Sequence, residues 1–181
     1  MTGDLPRRAV RRWLLGLLAG AMALAAVSCR YGLDELFGRP SPVDERVLDT
    51  SVPAPVPPVV GDPDNYVFVA TADAHFLEAA DPPATAAFAG LVSARGAAFV
   101  IVAGDLVDTG LPAEYARYAA WASSLGVPVY AAVGNHDLYN SGWSWFRAGV
   151  GRSFYSFAVG ARTFHVLDSG NGTLGRVQLE L

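Results

Sequence analysis

Beyond residue 65 the apolar residues fall into short blocks separated by Gly, Pro and Asp, and the lengths of those blocks predict the elements. Tyr66–Thr71, Ala98–Ala103 and Val127–Val133 are nearly continuous apolar runs rich in β-branched residues. Such runs suit strands of a sheet covered on both faces. Between them, Thr85–Ala94 and Pro112–Leu125 are predicted as helices. The second carries Pro in its first turn and Gly126 just past its end. Alternating strand and helix predict parallel βαβ units with right-handed crossovers, an α/β fold. Further on, Phe154–Val159 and Thr163–Leu167, joined around Gly160-Ala161, predict a hairpin. Gly175–Leu181 reads as the start of a helix.

The first third of the chain is patterned differently. An Arg-rich segment precedes an apolar stretch, Trp13–Val27, of about 15 residues, which fits a signal-peptide core and falls short of the ~20 a spanning helix needs. Ala26-Val27-Ser28-Cys29 resembles a bacterial lipoprotein box with Cys29 as the lipidated first residue; Arg11-Arg12 faintly resembles a twin-Arg export signal. Residues 1–29 are therefore expected to be a signal peptide with a lipobox-like end, and the protein to be exported, either membrane-anchored as a lipoprotein or periplasmic or extracellular. Residues 30–62, punctuated by six prolines from Pro40 to Pro58, are expected to be an extended linker. A domain is expected over 63–181.

Composition adds limits. A chain of 181 residues with 52% hydrophobic residues holds one domain and its extensions. Its single Cys excludes an internal disulfide. All 13 basic side chains are Arg against 17 acids, and the arginines at positions 7, 8, 11 and 12 precede Cys29, so the body is clearly acidic. No basic patch for nucleic acid exists, and none is expected to bind. An acidic body is compatible with a phosphate substrate when bound divalent ions supply local positive charge.

The candidate chemistry sits where the three runs end. Asp73-Ala74-His75, Gly104-Asp105-Leu106-Val107-Asp108 and Gly134-Asn135-His136-Asp137 each follow a predicted strand, and Asp73, Asp105 and Asn135 are spaced by 32 and 30 positions. In parallel sheets, ligands bind beyond the carboxyl ends of the strands. Carboxylates suit hard divalent ions, imidazole suits Zn, Fe and Mn, and a carboxylate bridges two ions readily. Strand alternation across Asp73–His75 would point both side chains to one side.

This set resembles the calcineurin-like metallophosphoesterases, whose members show D-x-H, G-D-x-x-D and G-N-H-D/E in that order; the resemblance covers roughly residues 66–181. It implies the N-terminal part of a four-layer α/β/β/α metallophosphatase sandwich and a metal-dependent phosphoesterase. Carried over residue by residue, Asp73 and His75 would bind a first ion, Asp105 would bridge two, and Asn135 would bind the second. The ions would be Mn, Fe or Zn. His136 would protonate the leaving alkoxide, Asp108 would hold that imidazole, and Asp137 would support the loop. A metal-bridging hydroxide would attack phosphorus in line, the departing oxygen leaving on the opposite side. The family's later lone His and G-H-x-H do not occur before Leu181, so the resemblance implies part of a longer protein, with few ligands for the second ion.

Other readings of the same residues stand beside this one. The chain could be a catalytically inactive fragment or an envelope binding protein that keeps the scaffold. Tyr139, Trp143, Trp145 and Phe146 are expected to cover the sheet edge, with a substrate pocket as the alternative. His165, Glu78 and Asp81 are expected to be structural or solvated.

Overall fold

The computed structural model describes residues 42–180. The expected signal peptide, Cys29 and the first part of the linker lie outside them. Eleven elements occur among the described residues: α1 (Pro42–Leu48), β1 (Phe68–Thr71), α2 (Thr85–Ala94), β2 (Phe99–Ala103), α3 (Pro112–Ser124), β3 (Val129–Ala132), a 3₁₀ segment (His136–Ser141), α4 (Trp143–Gly149), β4 (Tyr155–Val159), β5 (Arg162–Val166) and α5 (Gly175–Leu179).

Strands β1, β2 and β3 form a parallel sheet in that spatial order, with Phe68 opposite Phe99 and Val100 opposite Val129. β4 and β5 pair antiparallel, Tyr155 opposite Val166. Alternation along β2 divides the core in two. Val100 and Val102 face Val92 of α2, Tyr115 and Tyr118 of α3, and Phe146 of α4. Phe99 and Ile101 face Tyr155, Phe157, Val159 and Val166 of the hairpin. The layers are thus helices, parallel sheet and hairpin, an α/β arrangement. The hairpin docks through aromatic rings: Phe157 stacks on Tyr130 with centroids 3.8 Å apart, and the Tyr155 hydroxyl donates to the Ala131 carbonyl at 3.0 Å. That transfer from water into a low-dielectric layer drives the Tyr155 phenol well above its ordinary pKa.

Two expectations are corrected. The run Tyr66–Thr71 was expected to be buried on both faces, but β1 is the edge of the described sheet, and Val67 and Phe68 are exposed. Part of the expected linker is folded. Pro42, whose fixed φ suits a first helical position, opens α1. There Val43, Asp44, Arg46 and Val47 are buried, and Asp44 Oδ1 accepts from the Val177 amide at 2.9 Å. The Pro-rich stretch after α1 is also fastened to the body. Arg152 Nε donates to the Val52 carbonyl at 2.6 Å, and the Tyr130 hydroxyl to the Val56 carbonyl at 2.8 Å. Extended Pro-rich backbone makes no internal hydrogen bonds, so its carbonyls are free to accept such donors.

Candidate active site

The three motifs leave β1, β2 and β3 at the same edge of the sheet, and their loops are joined by backbone hydrogen bonds. Asp73 N donates to the Gly104 carbonyl at 3.1 Å, His75 N to that of Asp105 at 3.0 Å, and Phe76 N to that of Leu106 at 3.0 Å. The motif glycines allow the approach. Gly104 has φ +88°, and a Cβ on Gly134 would collide with Asp105 Oδ1. Asp105 Oδ1 in turn accepts from the His136 amide at 3.0 Å.

Asp73, His75 and Asp105 all adopt left-handed backbone, with φ of 53°, 48° and 49°. Non-glycine residues there cost on the order of 1–3 kcal/mol each and persist only where surrounding structure enforces them. This conformation also removes the strand alternation expected across Asp73–His75. The group drawn together is His75, Asp105 and His136, each offering one donor atom, all within 4.8 Å of one another. The two imidazoles meet edge to face, centroids 4.6 Å apart. Asp73 belongs to the same loop cluster but not to this triad, and Asn135 directly precedes His136 on the third loop. Asn135 Nδ2 donates to the Tyr139 hydroxyl at 3.1 Å, which leaves its Oδ1 as the amide's acceptor.

Asp108 meets both histidines. Its main-chain carbonyl, not its carboxylate, lies 2.7 Å from His136 Nδ1, while the carboxylate is 3.9 Å away. That carboxylate lies closer to His75 Nδ1, at 3.2 Å. Even so, His75 Nδ1 is buried without an aligned hydrogen-bond partner. A buried imidazole nitrogen without an aligned partner, beside a carboxylate, fits a divalent cation.

Asp137 supports the assembly from beneath. Wholly buried, it accepts from the amides of Leu106 at 2.9 Å, Val107 at 3.1 Å and Gly134 at 2.8 Å. Burial lifts its carboxyl from 3.8 to about 6 against the opposing pull of these amides. The Tyr115 hydroxyl donates to its carbonyl at 2.7 Å, tying α3 to the motif.

An open cavity of about 490 Å³ lies beside this cluster, between Asn135, Leu138 and Tyr139 on one side and Ser169–Gly172 on the other. Of the aromatic residues after the third motif, Phe146 is fully buried, whereas Tyr139 and Trp145 are exposed. Tyr139 alone of the four lines the cavity, its ring 4.9 Å from that of His136. The wall opposite is not among the sequence-predicted site residues; its only signal in the sequence is the loop composition of Asp168-Ser169-Gly170-Asn171-Gly172. His165 lies on the exposed side of the hairpin, its Nδ1 2.8 Å from Ser156 Oγ. Arg117 bonds the Asp81 carboxylate and the Glu78 carbonyl, both at 2.9 Å.

Comparison with known proteins agrees with the geometry. Residues 66–179 match the family model described as calcineurin-like phosphoesterase. A protein of Synechococcus sp. named "Probable cyclic nucleotide phosphodiesterase" is 40% identical over 55 residues, a stretch that covers 30% of this chain and 22% of that protein. The aligned stretch thus spans well under two thirds of that relative.

Proposed function

The chain belongs to the calcineurin-like phosphoesterases, and from that premise we propose that it hydrolyses a phosphate ester with divalent ions held at the loop cluster of β1, β2 and β3. The observation that carries this reading is the convergence of His75, Asp105 and His136 on loops whose backbone is held left-handed at Asp73, His75 and Asp105. Asp73, His75 and Asp105 would hold one ion, and Asp105 with the Asn135 side-chain oxygen a second. Such ions supply Lewis acidity toward the phosphoryl oxygens and lower the pKa of the attacking water.

The protein's own groups do the remaining work. The Asp108 carbonyl accepts from His136 Nδ1, which fixes the ring and leaves Nε2 for the substrate. From Nε2 a proton passes to the departing ester oxygen. The Asp108 carboxylate lies 3.2 Å from His75 Nδ1 and 3.9 Å from His136 Nδ1, so one loop residue abuts both rings. Asp105 is steadied for its role by the His136 amide, so the bridging carboxylate and the acid are mechanically linked.

Titration calorimetry with Mn²⁺, paired with hydrolysis of alkyl and nitrophenyl phosphate mono- and diesters, tests this reading. The related protein's name makes a cyclic diester worth including. A tight Mn²⁺ site and a weaker one are expected, with Asp105→Asn removing both and abolishing turnover. His136→Ala is expected to keep the tight ion yet to slow alkyl esters ~10²-fold or more, with aryl esters, whose leaving groups need little protonation, slowed far less. Equal losses for both ester types would remove His136 from the acid role, and loss of the tight ion would make it a ligand instead.

A further inference from the structure

Arg46, on α1, lies outside the stretch that matches the family model, yet it reaches the wall of the cavity beside the candidate site. Its guanidinium forms a two-pronged ion pair with Asp168, Nε to Oδ2 and Nη2 to Oδ1, both 2.8 Å. The pair is out of water, the side chains 6% and 0% exposed. Asp168 stands at the root of the loop that follows β5. Its Oδ1 also accepts from the Gly170 amide at 3.1 Å, while its own amide and carbonyl are bonded by the Gln178 side chain at 2.8 Å each. The turn closes with Gly172 N donating to the Ser169 carbonyl at 2.8 Å. Arg46 further lies over the Trp143 ring, 5.9 Å from its centroid, on the helix that follows the His136 turn. One guanidinium thus joins α1, α4 and the loop.

The loop is seated closely on the site. A Cβ on Gly170 would lie 2.9 Å from the Leu138 side chain and 3.1 Å from the Gly134 carbonyl. The cavity between loop and motif is far larger than a phosphate group needs. Ser169, Asn171 and Tyr139 are among the residues that line it. Tyr139 on its wall has its ring 4.9 Å from that of His136, the imidazole whose proton would meet the departing oxygen.

We propose that Arg46 is a positioning residue for substrate: through Asp168 it sets the Ser169–Gly172 wall of this cavity, in which the departing group of the phosphate ester lies. The substrate half of the proposal rests on the phosphoesterase reading. The fixed fork of a guanidinium matches a carboxylate in a way that an ammonium does not, so Arg46→Lys and Arg46→Met form a graded pair.

Steady-state kinetics with nitrophenyl phosphate and saturating Mn²⁺, together with hydrogen–deuterium exchange, test it on the full chain. In Arg46→Met, KM is expected to rise ~10-fold with kcat within about twofold, the pattern of lost binding rather than lost chemistry. Amide exchange across 168–172 is expected to quicken ~10-fold while β2 and β3 stay protected, because only the loop is released. Arg46→Lys should fall between, and serves alone should the Met variant fail to fold. Unchanged KM with unchanged loop exchange overturns the proposal, as does exchange that rises equally throughout the sheet. Absence of turnover in the unaltered protein would overturn the phosphoesterase reading and with it the substrate half. The exchange data would still decide whether Arg46 sets the wall.

Discussion

At the scale of single residues, Asp137 shows how the site is held from beneath by a side chain closed to solvent. Its carboxylate is the acceptor for three amides that belong to two different motif loops. In Asp137→Ala those donors lose their partner inside the protein, at ~1–3 kcal/mol for each unsatisfied group. The variant is expected to lose about 3 kcal/mol or more in urea unfolding and to bind Mn²⁺ more weakly, since the Asp105 and His136 loops lose their common support. Full stability with unaltered metal affinity would show that other groups carry the loops. Motif spacing alone made Asp73, His75, Asp105, Asn135 and His136 legible as neighbours. Backbone direction was not legible, because the left-handed Asp73 and His75 accompany loop-to-loop bonds from the Asp73, His75 and Phe76 amides to the carbonyls of Gly104, Asp105 and Leu106, which arise only once β1 and β2 are side by side. For the same reason nothing in the sequence indicates that His136 meets the Asp108 carbonyl rather than its side chain.

At the scale of elements, the hairpin owes its place to aromatic packing. Phe157 stacks on Tyr130 and Phe164 and meets Phe99 edge-on, with 3% of its surface exposed. Phe157→Ala is expected to cost ~3–5 kcal/mol, the usual range for a large aromatic removed from a core, read as a shift in denaturation midpoint. A shift under ~1 kcal/mol would mean that the hairpin repacks or contributes little. The strands, α2, α3 and the hairpin are legible to within a residue or two because their patterns are long and bounded by Gly or Pro. By contrast α1 is seven residues long, too short to be stable by itself, and its flanking prolines read as extended chain. It exists through contacts with α5 and Asp168, which lie more than a hundred residues away. The His136–Ser141 turn and α4 are not legible in the pattern because the motif reads as a loop, and the left-handed Asn140 and Ser141 break any continuous helix between them.

At the scale of the whole molecule, attachment is a question for the N-terminal third. No helix among the described residues is long and apolar enough to cross a membrane. Cys29 is expected to carry lipid and to be the mature N-terminus, which intact-mass measurement on detergent-extracted protein would show as a chain starting at Cys29 with added acyl mass. A soluble species beginning elsewhere would refute it. The docking of α1 then gives such an anchor a particular length. Were all of 30–62 free, the leash could span roughly 110 Å at ~3.4 Å per residue. With α1 and the stretch behind it fastened to the body, a lipid on Cys29 would lie 13 residues before Pro42, the first residue of α1, and the limit falls to roughly 45 Å whatever path the chain between them takes. The catalytic edge would then patrol a shell close to the bilayer, meeting substrates at or near the membrane surface in preference to those in the surrounding fluid.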